Sequence, residues 1–86
     1  MRHLYATFSE YGHINPCSIR DTEDEGRACF EKAIADFHER CGDDRNDGGL
    51  CLGKFNANEW RTIAQTGTYH QGVEYIDGWR AKQGGQ

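Results

Sequence analysis

Apolar residues are scarce in this chain: 36 % of its 86 residues are hydrophobic and its mean hydropathy is −0.90. No window approaches the roughly 18 apolar residues of a membrane-spanning helix. The start, Met1-Arg2-His3-Leu4-Tyr5, is not followed by the apolar stretch of a secretory signal. The expectation is therefore a cytoplasmic protein with no membrane partner. Proline is almost missing too, and its single instance, Pro16, confines any strand through that point to an edge or to irregular geometry. Catalytic signatures are also lacking. There is no GxSxG, no HExxH, no phosphate-binding glycine loop and no dinucleotide fingerprint. Neither enzymatic activity nor a cofactor is expected.

Four cysteines are present, at 17, 29, 41 and 51, but none stands in a CxxC knuckle. With no secretory signal they read as reduced thiols, some of them buried as small hydrophobes. A nucleophilic cysteine needs an electropositive setting to lower its pKa. The surroundings of Cys29 and Cys41 are acidic instead.

What the chain does have is aromatic side chains. Two Trp, four Tyr and four Phe can each bury a large apolar area, which makes a folded domain possible in spite of the low hydropathy. At this length only about 60–65 % of the unfolded surface is buried on folding, so the core must be lean. Residues 1–79 read as one compact domain, followed by a polar tail over 80–86 that ends Gly84-Gly85-Gln86. That tripeptide resembles one found in peptide-release factors, but no supporting domain surrounds it.

Residues 3–10 alternate, with Leu4, Ala6 and Phe8 in one phase, as in a half-buried strand. After a turn at Tyr11-Gly12-His13, residues 13–19 return as a second strand, completing a β-hairpin. Thr22-Glu23-Asp24-Glu25 is a capping box. Behind it Phe30, Ala33, Ile34, Phe37 and Cys41 recur at helical spacing, and Gly42 is suited to the C-cap. A helix over about 23–41 follows from these signals. On its outer face Arg27–Glu31, Lys32–Asp36 and Asp36–Arg40 are spaced as ion pairs. A short strand is expected over 50–55. Residues 57–66 read either as a short helix capped by Asn56 or Asn58, with Trp60 inward, or as a strand over 60–66. From Tyr69 to Trp79 alternation resumes, as in a strand closing the sheet against the hairpin. The expected fold is α+β: a small antiparallel sheet, made of an N-terminal β-hairpin and a C-terminal strand, packed by one long helix and a second short one.

Charge is concentrated. Residues 21–47 hold ten acids against four bases, a net −6, while the rest holds six bases and four acids, a net +2. A free-standing nucleic-acid binder shows the opposite bias, so direct nucleic-acid binding is not expected. Asp21, Glu23, Asp24, Glu25, Glu31, Asp36, Glu39, Asp43, Asp44 and Asp47 would form a contiguous negative stripe along the helix and its following loop. Such a stripe suits a basic surface on a protein partner, where it speeds association and sets orientation. Plain solubility is the competing explanation. Tyr11, Tyr69, Trp79 and Arg80 are candidates to sharpen an interface if they are exposed.

Two sets of side chains have the chemistry of metal ligands. His13 and Cys17 lie four positions apart on the return segment, and His38 and Cys41 lie one turn apart on the helix. The four have the residue types of a tetrahedral zinc site. The acids at 43, 44 and 47 lack the spacing and terminal Glu of a calcium loop.

In length, single compact domain, absence of motifs and localised acidity, the chain resembles small acidic proteins of phages and mobile elements, anti-CRISPR proteins among them. The stretch Tyr11-Gly12-His13-Ile14-Asn15-Pro16-Cys17-Ser18-Ile19-Arg20-Asp21-Thr22, leading into a capped helix, carries the same look. The resemblance implies a non-enzymatic, stoichiometric inhibitor working in the cytoplasm of an infected or host bacterial cell. Its acidic surface would block a basic nucleic-acid-binding site on a nuclease or surveillance complex, such as a CRISPR effector. The alternatives are a small zinc-stabilised adaptor and a self-associating accessory or structural protein.

Overall fold

In a computed structural model the described residues are 2–41, 48–61, 72–78 and 81. The order is strand β1 (His3–Phe8), helix α1 (Glu23–Cys41), strand β2 (Cys51–Asn56) and strand β3 (Glu74–Gly78), with short 3-10 turns at Pro16–Ser18 and Ala57–Glu59. The three strands form one antiparallel sheet in the order β1-β2-β3. One long helix on a small antiparallel sheet is the expected α+β class.

The late strand β2 is therefore central, and β3 pairs with it rather than with the hairpin. Phe8 stands opposite Cys51, Thr7 opposite Leu52 and Leu4 opposite Phe55. On the other side Leu52 faces Asp77 and Gly53 faces Tyr75, so Ile76 is an extra residue that bulges out of β3.

The hairpin's second strand is replaced by an irregular strap. Residues 13–20 run back along β1 but meet it only through isolated bridges at Phe8–Ile14 and Tyr5–Arg20. Between them Pro16, with no N–H to donate, starts a 3-10 turn that lifts the backbone away from β1. The Ser18 side chain fills the gap. Its Oγ accepts from the buried Thr7 N–H at 2.8 Å and donates to the Asn15 carbonyl at 2.7 Å. A hydroxyl thus stands where a strand carbonyl is missing.

The two sheet faces are covered differently. Leu4, Ala6, Phe8, Cys51, Phe55 and Val73 form a buried cluster on one face, with Ile14, Ile19, Ala57 and Tyr75 packed against it. Phe8 lies at its centre. Its ring meets Tyr75 edge-on at 5.4 Å and Phe55 edge-on at 6.2 Å, contacts that add about 0.5–1.5 kcal/mol each beyond area burial. Gly53 leaves the space this ring occupies, since a Cβ there would stand 2.7 Å from both Phe8 Cε1 and Val73 Cγ1.

Helix α1 lies on the opposite face, over Tyr5 and Leu52. The approach is so close that a Cβ on Gly26 would stand 2.5 Å from the Tyr5 Cβ. Gly26 and Phe30 are buried, while Ala33, Ile34 and Phe37 are half-buried. Cys41, expected inside, is exposed. Length explains this: a 19-residue helix spans about 28 Å, whereas six-residue strands span about 20 Å.

The start of α1 is set by local chemistry. The Glu25 N–H donates to Thr22 Oγ1 at 3.2 Å, and that hydroxyl donates to Glu25 Oε1 at 3.0 Å. The capping box is closed through the hydroxyl rather than through the Thr22 backbone N–H. Residues 57–61 are helical, a 3-10 turn running into Trp60 and Arg61, and Asn56 is the cap, its side chain accepting from the Asn58 N–H at 2.9 Å. Trp60, expected inward, is partly exposed. Gly42, residues 62–66, Tyr69, Trp79, Arg80 and the tail over 82–86 lie outside the described residues.

Candidate functional site

The candidate site is the outer face of α1. Asp21, Glu23, Asp24, Glu25, Glu31, Asp36 and Glu39 are all exposed. Asp43, Asp44 and Asp47 lie outside the described residues. At 100° per residue, Asp24, Glu25, Glu31, Asp36 and Glu39 fall within an arc of about 140°, and Asp24 to Glu39 covers about 22 Å of helix axis. Lys32 is the one base in that arc. The face is held firmly because the helix is capped at its start and pressed onto the sheet through Gly26.

The seven described acids divide into two groups. Asp21 pairs with Arg2, which ties the chain just ahead of the helix to the start of β1. Glu25 closes the cap. Glu23 pairs with Arg27 at 3.3 Å, and Arg27 also reaches Asp77 on β3 at 2.5 Å. The sequence spacing paired Arg27 with Glu31. Arg27 turns toward the sheet instead, where Asp77 and Glu23 offer two carboxylates to one planar guanidinium. The hydrogen bonds that Arg27 donates, to Glu23 first and Asp77 second, raise its pKa. This favours the folded state below the ordinary arginine range and is lost only as pH rises through the raised value, so it is constant at neutral pH.

Asp24, Glu31, Asp36 and Glu39 remain. None of them makes an ion pair among the described residues, and the expected pairs Lys32–Asp36 and Asp36–Arg40 are not formed. Four uncompensated carboxylates on one rigid face attract a cationic surface over roughly a Debye length, about 8–10 Å at physiological salt.

The zinc set is not assembled. His13 and Cys17 lie on the strap, His38 and Cys41 on the last turns of α1, and no three His, Cys, Asp or Glu side chains are grouped to hold a metal ion among the described residues. All four cysteines are free thiols. Cys51 is buried, and Cys17 and Cys41 are exposed. The outer edge of β3 is short and bulged and carries Glu74 and Asp77, features that discourage strand addition. Of the aromatic candidates, Tyr11 is 72 % exposed. Among the described residues no helix is long and apolar enough to cross a membrane. Asp77 is the acid that sequence reasoning missed; its role depends on a contact 50 residues away in the chain, which no local pattern encodes.

No protein-family model, curated protein or solved structure matches the chain.

Proposed function

We propose that this domain is a non-enzymatic, anti-CRISPR-like inhibitor. It binds a protein partner through the acidic face of α1 and blocks that partner's basic nucleic-acid-binding site. The observation that carries the reading is the set of four exposed carboxylates, Asp24, Glu31, Asp36 and Glu39, which make no ion pair among the described residues and stand on a capped and packed helix. Carboxylates held in place compete with phosphates for the same lysines and arginines. Unlike flexible side chains in a disordered tail, they lose little backbone freedom on docking. The other acids near the start of α1, Asp21, Glu23 and Glu25, are engaged by Arg2, Arg27 and the cap.

Capture from a bacterial lysate with the tagged protein, washed at low and at high salt, tests this directly. The expected result is a nucleic-acid-binding complex that is retained at low salt and released at high salt. Recovery of the bait alone at both salts would overturn the proposal.

A further inference from the structure

We draw no further inference here: the strongest candidate, the turn tip over residues 9–13 that holds Tyr11 72 % exposed, is a single projecting ring, and nothing in the structure shows what covers it.

Discussion

The two surfaces of the molecule are built on opposite terms. On the sheet face away from the helix, Phe8, Phe55 and Tyr75 interlock over the space left by Gly53, and the edge strand is closed by the Ser18 hydroxyl. Little there can change without cost. On the outer face of α1, four exposed carboxylates pair with no described cation. The contrast teaches that stability and charge are separable in this fold. Truncation of the buried rings should weaken the fold most, while reversal of the outer charges should leave it standing.

The comparison breaks most visibly at Phe8. A domain of this length has about 4–13 kcal/mol of total stability, and Phe8→Ala removes about 3–5 kcal/mol. Urea denaturation should find the variant less stable by that amount, which unfolds it if the wild type lies at the low end of the range. A loss under 1 kcal/mol would show that the ring cluster is not the centre of the core.

Gly26→Ala sets two effects against each other. Alanine gains about 1 kcal/mol of helix propensity, yet its methyl group would sit 2.5 Å from Tyr5 Cβ. Overpacking of this kind costs about 1–3 kcal/mol, and neither backbone can retreat cheaply. The expected outcome is a net loss of up to about 2 kcal/mol in chemical denaturation. A gain would mean that the helix rides higher on the sheet than described.

Ser18→Ala leaves the buried Thr7 N–H without its acceptor, and a loss of about 1–3 kcal/mol is expected. Faster hydrogen exchange at the Thr7 amide would mark the same event locally.

The smallest effect is expected at Thr7 itself. Its Oγ1 is buried with no hydrogen-bond partner among the described residues, so Thr7→Val removes an unsatisfied group at nearly constant shape. The change should be neutral or stabilising by up to about 1 kcal/mol. A clear thermal destabilisation would reveal a partner for that hydroxyl.

These positions also show what was legible in advance. Helix α1 could be read almost to the residue, because its cap, its acidic first turn and its apolar spacing are all local. Alternation likewise placed Leu4, Ala6 and Phe8 on one face. The sheet order could not be read, because the central position of β2 depends on partners some 45 residues away on one side and 25 on the other. Pro16 signalled irregularity, but the repair by Ser18 depends on a side-chain oxygen reaching across to β1. The acidic face was visible as composition. Which carboxylates remain unpaired was not, since Arg27 turns to a strand 50 residues further on.

The most direct test of the account titrates a purified CRISPR effector complex, bound to labelled target DNA, with the wild-type protein and with Glu31→Lys/Glu39→Lys. Both substitutions lie on exposed positions, so stability should change by no more than about 0.5 kcal/mol each. The account predicts that the wild-type protein displaces DNA at low salt and less so at high salt, and that the double variant, still folded by circular dichroism, fails to do so. Equal displacement by both proteins, or none by the wild type, would contradict it.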